Sequence, residues 1–286
     1  MPVIDIGRAP LNLNASYHAQ SVNRLSHGIR RGNPADNISI HRGLKGIMKM
    51  PDIGVSVITC VHRSNYINRV FENYITQEYP YKELIIVLNN DNLSSVEWET
   101  KASLYPGIRV FRLPEGTSLG TCYNFGIEQS RYDYLAKFDD DDYYAPQYLL
   151  SSMMAFRKID ADIIGKNARY VYFESLSALA LMAPLGENVS VPYVVGATLI
   201  FKKVVWSQVR FRDITSGEDS EFQSDCLDRG YKIFSIDRFN YVTIRHPDTV
   251  EHTFVIDDLS YFALGELVAR TDDFRPLVIK NQAYFL

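Results

Sequence analysis

Four consecutive aspartates, Asp139–Asp142, follow directly on the apolar stretch Tyr134-Leu-Ala-Lys-Phe138. Side chains alternate along an extended backbone, so Asp139 and Asp141 share one side, roughly 6.6 Å apart at about 3.3 Å per residue. Two carboxylates so placed address one cation directly or through its waters. Oxygen ligands select a hard ion such as Mg2+ or Mn2+, and a small carboxylate set leaves room for substrate phosphates in its sphere. Carboxylates crowded at the end of an apolar strand repel one another unless a cation or hydrogen-bond donors compensate. A bare acidic run also describes a solvated turn; the strand in front of it is what argues for a site. A second acidic group, Ser216-Gly-Glu-Asp-Ser-Glu-Phe222, reads as a helix start. Ser216 is spaced to cap it, and Glu218, Asp219 and Glu221 then fall in the first turn, where the helix dipole favours anions. A carboxylate held there serves the dipole or acts as a general base. His246 and His252 lie beyond the strand Tyr241–Ile244 and offer imidazoles to a metal, or are ordinary surface or core residues.

These groups need elements to bring them together. Gly54-Val-Ser-Val-Ile-Thr-Cys-Val61 is a β-branched run of strand length, and Tyr66–Glu78 repeats apolar residues at helical spacing. Glu83–Leu88 is a second buried strand ending in Asn89-Asn90-Asp91-Asn92. Continuous apolar strands separated by a helix mark a parallel sheet covered on both faces. The alternation continues with helix 96–105, strand 108–113, helix 119–129 and strand 134–138, then helix 144–157 with Pro146 in its first turn. Beyond it, strands are expected over 161–164, 168–173, 197–201, 231–236 and 241–244, with a helix over 220–228 stopped by Gly230. In open α/β sheets ligands bind outside the carboxyl ends of the strands. The polar clusters Thr59–Asn65, Asn89–Asn92 and Asp139–Asp142 all lie at such ends.

Composition sets the outer limits. The 286 residues are 46% hydrophobic and 22% charged, with a net charge of -4, values of an ordinary globular chain rather than a disordered or collagen-like one. With 34 Asp and Glu against 30 Lys and Arg, the chain lacks the basic excess of a nucleic-acid binder, and no nucleic-acid partner is expected. Cys60, Cys122 and Cys226 form no Cys-x-x-Cys pair and read as three separate buried thiols in a reducing cytosol. The first residues lack a basic segment followed by an apolar core, and no apolar window reaches the ~20 residues that span a bilayer. A cytoplasmic protein, peripheral at most to the inner face of a membrane, is therefore expected. Residues 1–52 are polar and poorly periodic. They read as an extension that packs on, or swaps between copies of, the body, a route to a homo-oligomer. The Gly-containing stretch Pro114–Gly120 lacks the Lys-Ser/Thr of a P-loop and the Gly-x-Gly-x-x-Gly of a dinucleotide fold, and no Gly-x-Ser-x-Gly supports a serine hydrolase.

Five segments occur in an order that resembles the family 2 glycosyltransferases of the GT-A fold. They are Val55–Arg63, Glu83–Leu88 with its polar end, Gly120-Thr-Cys-Tyr-Asn124-Phe-Gly126, Leu135–Asp142, and Gly217–Phe222 with Asp228-Arg-Gly-Tyr231. The resemblance covers about residues 53–250. It implies an α/β GT-A architecture, a Rossmann-like, mostly parallel central sheet flanked by helices, over 53–255, with an N-terminal extension 1–52 and a C-terminal helical tail 256–286. The implied activity is transfer of a sugar, as in hexosyltransferases, from a nucleotide-diphosphate donor to a hydroxyl acceptor with inversion, aided by Mn2+ or Mg2+. UDP-sugars are favoured, and the acceptor is a glycan, a lipid-linked or a protein group. Carried over by position, Thr59, Val61, Arg63, Asn89, Asn90, Asp91, Gly120, Asn124, Asp139 and Asp140 border the nucleotide. Asp139 and Asp141, with His246, hold the metal; His252 is the reserve candidate. Asp219 is the base, and Gly196, Ala197, Thr198 and Glu218 face the acceptor. Asn89-Asn90-Asp91 departs from the acidic end usual at the second strand, and because an amide both donates and accepts, the resemblance does not fix the base preference. Trp206 and the amphipathic stretch Asp257–Arg270 belong to the acceptor half, the latter packing on the body. A sugar nucleotidyltransferase would show a Gly-rich loop with a basic residue after the first strand, where this chain has Thr-Cys-Val-His-Arg-Ser-Asn. A non-catalytic nucleotide-sugar-binding protein is the other alternative, distinguished by nucleotide binding without turnover.

Overall fold

The computed structural model describes residues 53–247 and 256–280. The extension 1–52 and His252 lie outside the described residues. The chain runs β1 (Val55–Val61), α1 (Ile67–Ile75), β2 (Lys82–Leu88), α2 (Ser95–Ala102), β3 (Ile108–Arg112), α3 (Leu119–Glu128) and β4 (Tyr134–Lys137). The four strands lie in parallel in the order β3-β2-β1-β4. β1 and β2 are buried almost throughout, as continuous apolar strands between two helical layers must be. Ser94 and Ser118 start α2 and α3 by accepting hydrogen bonds from the Glu97 and Thr121 amides. Gly126 lets α3 lie close on the sheet: a Cβ there would stand 2.7 Å from the Ile58 side chain.

After the acidic run the topology changes. β5 (Tyr143–Tyr144) precedes α4 (Tyr148–Lys158), followed by β6 (Ile163–Gly165), β7 (Arg169–Phe173), β8 (Ala178–Met182), β9 (Val189–Ser190), β10 (Ile200–Lys202) and α5 (Lys203–Gln208). α6 (Glu218–Asp228), β11 (Ile233–Ser235), β12 (Tyr241–Arg245), α7 (Asp258–Phe262), β13 (Glu266–Arg270) and α8 (Arg275–Val278) complete it. The central sheet extends to β3-β2-β1-β4-β10-β6-β11-β9, with β10 antiparallel to both neighbours. A second sheet runs β13-β8-β7-β12-β5. The main core lies under α3, α5 and α6 and includes Ile58, Tyr123, Leu135, Phe201, Phe211 and Phe222.

Four expectations are corrected. The helix read over 144–157 starts at Tyr148, because Tyr143 and Tyr144 pair with β12 first, and Pro146 sits in the turn between them. The helix at 218 is not capped by Ser216. Gly217, at φ 79°, takes the cap position in the left-handed region and brings Glu218 to the first helical residue. The C-terminal segment is helical only in part: β13 pairs antiparallel with β8, so this stretch closes the second sheet. All three cysteines are free thiols, but only Cys122 and Cys226 are buried, and Cys60 is partly open. Among the described residues no helix is long and apolar enough to cross a membrane.

Candidate active site

A cleft of about 680 Å³ opens at the carboxyl ends of β1, β2 and β4, within the range of small-ligand sites. Its walls include Arg63 and Asn89, the whole run Asp139–Asp142, the turn 195–197, and Gly217–Asp219 at the start of α6. The alternation expected of an extended acidic run is present. Asp140 and Asp142 are buried, whereas Asp139 and Asp141 are partly open. Asp142 is a structural latch, taking hydrogen bonds from the Tyr241 hydroxyl (2.5 Å) and the Ile244 amide (3.0 Å) of β12. Burial, with Asp141 and Asp139 nearby, raises its pKa against those donors.

The other aspartates are met by protein cations. Arg63 reaches Asp140 at 2.5 Å and Asp141 at 2.7 Å, and its guanidinium lies over the Tyr66 ring at 4.8 Å. Arg69 donates to the Asp141 carbonyl. Burial opposes the Arg63 charge, but the two carboxylates outweigh it and raise its pKa. Asp140 is pushed up to about 7 by burial and by Asp141, against the pull of Arg63. Lys137, the last residue of β4 and 5% exposed, holds Asp139 at 2.9 Å and faces Glu218 at 3.7 Å. Its burial opposes the charge too, and Asp139, Glu218 and Asp219 more than restore it.

Asp219 sits in the first turn of α6, partly open to the cleft, beside the helical turn Gly196–Thr198. A Cβ on Gly196 would lie 1.6 Å from Asp219 Oδ2, so the absence of a side chain there is what admits the carboxylate. Gly196→Ala should therefore displace Asp219 and lower turnover about 10²-fold, the cost of roughly an ångström of misplacement. Single-turnover rates at saturating donor, beside an unchanged nucleotide affinity, would check it.

Residues 56–180 match the sequence profile of Glycosyl transferase family 2. That stretch, somewhat under half of the chain, is a family 2 glycosyltransferase domain. The O-antigen biosynthesis glycosyltransferase WbnJ of Escherichia coli is 26% identical over 120 residues, 41% of this chain and 47% of that protein. The chain thus spans about half the length of this curated relative. Among solved structures, TarS 1-349 of S. aureus in complex with UDP-GlcNAc superposes with a TM-score of 0.57 at 16% identity, over 72% of this chain and 62% of that one. The mannosyltransferase PcManGT from Pyrobaculum calidifontis, in complex with GDP-Man and Mn2+, gives 0.54 at 14% identity, over 67% and 56%. At these identities the likeness is one of fold, and the fold of the glycosyltransferase domain is GT-A.

Arg63, Asn89, Asp139, Asp140, Asp141, Gly196, Ala197, Glu218 and Asp219 all line this cleft. The other described residues singled out in the sequence for the site are not part of its lining. Thr59 and Val61 are buried in β1. Asn90 and Asp91 lie outside the cleft wall, where Asn90 binds the His62 carbonyl and the Asp91 amide meets Glu115. Gly120 packs against the backbone of Arg212 and Ile214. Asn124 ties α3 to Trp206 and Phe211, so Trp206 is also a packing residue. The Thr198 hydroxyl joins the Val195 carbonyl and the Lys166 amide. His246 pairs with Glu174 at 2.8 Å and lies against Tyr66, its ring centroid 5.4 Å away. Lys137 was missed; its signal was a lysine set inside an apolar strand directly before the aspartates.

The donors exposed at the end of β4 are carboxylate oxygens, the right chemistry for a hard divalent ion. No three His, Cys, Asp or Glu side chains converge on a point among the described residues. An ion here would use Asp141 and Asp139 and complete its sphere with nucleotide phosphates, an arrangement these residues fit.

Glu218 has a further consequence. Burial, and the nearby Asp219 and Asp139 charges, push it up to about 7 from its ordinary 4.5, although Lys137 pulls the other way. A raised folded-state pKa means that the folded protein binds the proton more tightly. The associated stability is complete below 4.5 and lost as pH rises through about 7. Glu218→Gln should thus melt a few degrees above the wild type at about pH 8 and with it at about pH 4, at roughly 2–4 °C per kcal/mol. Calorimetric scans across that range would show the gap open or stay flat.

Proposed function

We propose that this protein is an inverting glycosyltransferase that moves a sugar from a nucleoside-diphosphate sugar, UDP-linked by preference, to a hydroxyl acceptor. One observation carries the reading: the acidic end of β4 and the Asp219 carboxylate at the start of α6 face a single ligand-sized cleft. The family profile and the GT-A neighbours support it.

In the reaction, the acceptor hydroxyl lies against Asp219, which accepts its proton while the oxygen attacks the anomeric carbon. The new C–O bond forms on the face opposite the bond to the diphosphate. That bond breaks, and its electron pair leaves with the nucleoside diphosphate. Asn89, with its side-chain amide anchored on the Thr117 carbonyl, and Arg63 border the nucleotide. Held by Asp141 with Asp139, a divalent ion would neutralise charge on the departing diphosphate. The Arg63 guanidinium is the protein's own counter-charge to Asp141.

The test is a screen of UDP-, GDP- and dTDP-sugars with Mn2+, Mg2+ or a chelator, reading nucleotide release with and without an acceptor mixture, then product mass. Acceptor-stimulated release from one donor is expected. Tight nucleotide binding with no turnover for any donor and acceptor fraction would instead fit a binding protein.

A further inference from the structure

One end of the cleft is built from the second sheet. Arg169 of β7, Thr243 and Arg245 of β12, and Tyr261 of α7 line it. β12 is latched to Asp142, and β7, which carries Arg169, is the next strand beyond β12. α7 is fixed over this face by Tyr261 and Phe262, whose rings meet Phe173 at 5.6 and 5.5 Å.

The cations along the cleft differ in how they are compensated. Arg63 faces Asp140 and Asp141, Lys137 faces Asp139 and Glu218, and Arg245 faces Asp258 at 3.2 Å. Arg169 has neutral partners: its Nη2 donates to the Tyr261 hydroxyl at 2.8 Å and its Nη1 to the Asn167 carbonyl at 3.3 Å. Its Nε is buried without a hydrogen-bond partner, and no carboxylate pairs with it among the described residues. A guanidinium keeps its charge at any working pH and presents a planar fork of donors that matches phosphate and carboxylate oxygens. Placed at the wall of a ligand-sized cleft with its charge unmet, it favours an anion there.

We propose that this end of the cleft binds an anionic group of the acceptor, a phosphate or a carboxylate near the hydroxyl that is glycosylated, with Arg169 as the recognising residue. The proposal rests on the transferase reading above. Tyr261 holds the guanidinium in place from α7, which makes the C-terminal segment part of acceptor recognition.

The test uses the full-length protein saturated with whichever nucleoside diphosphate raises its melting temperature. Methyl phosphate, glucuronate and glucose are titrated into it by calorimetry. Saturable binding of at least one anion is expected, about tenfold tighter than glucose, and the tighter of the two names the source of the charge. Arg169→Gln should bring anion binding down to the glucose level while keeping the nucleotide-induced melting shift. Should that variant fail to fold, Arg169→Lys decides: it keeps the charge without the fork, and anion binding should fall severalfold. Anion binding unchanged by substitution of Arg169, or absent from the nucleotide-loaded wild type, overturns the proposal. Failure of every nucleotide to shift the melting temperature strikes the transferase reading itself and is distinguishable from both.

Discussion

Asp219→Asn should lower sugar transfer by about 10³-fold, the middle of the range for a positioned general base, and leave nucleotide binding intact. The amide keeps the shape of the carboxylate, so the fit against Gly196 survives, but it does not take up the acceptor proton. Its site is suited to an anion: the first turn of α6 points its free amides and dipole at Asp219. Glu218, its neighbour, is buried against Lys137 and belongs to the charge frame of the site rather than to its reactive face. Product mass in single turnovers, with nucleotide-induced melting shifts as the control, makes the measurement. An Asp219→Asn enzyme running at full rate would remove the base assignment, whereas one that also lost nucleotide affinity would make Asp219 a donor ligand.

Legibility followed how local the forces are. β1 to β4 and their helices are built from runs of neighbouring residues, and each element stands within a residue or a few of where periodicity places it. The alternation of Asp139 and Asp141 against Asp140 and Asp142 follows from strand geometry alone. The second sheet is different. β8 reads as an apolar window and β13 as an amphipathic stretch, because their pairing joins segments far apart in the chain. Asn124 and Thr198 carry side chains suited to a ligand, yet the Phe211 backbone and the Trp206 indole take up the hydrogen bonds of the first, and the Val195 carbonyl and Lys166 amide those of the second. Arg169 is a site candidate for a reason visible only in three dimensions, namely which charges fail to reach it.

Lys137→Met should destabilise the fold by about 3–5 kcal/mol, the range for leaving a buried charge without its partner. At roughly 2–4 °C per kcal/mol that is a fall in melting temperature of about 10 °C. The side chain of Lys137 is enclosed by β4, Tyr123 and the start of α6, with Nζ 4.9 Å from the Tyr123 ring centroid. Methionine fills much the same volume, so the loss is one of charge. Asp139 and Glu218 would then be left without the ammonium between them. The loss should depend on pH in a definite sense. Glu218 is already raised to about 7 with Lys137 present, and removal of that cation raises it further. The variant therefore regains stability as pH falls and Glu218 takes up its proton, and is weakest above the raised pKa. Adding Glu218→Gln to Lys137→Met should recover a large part of the loss at about pH 8 and little at about pH 4, a coupling that additive, independent effects would not produce. A Lys137→Met protein as stable as the wild type at high pH would show that solvent, not this lysine, compensates the carboxylates on which the proposed chemistry depends.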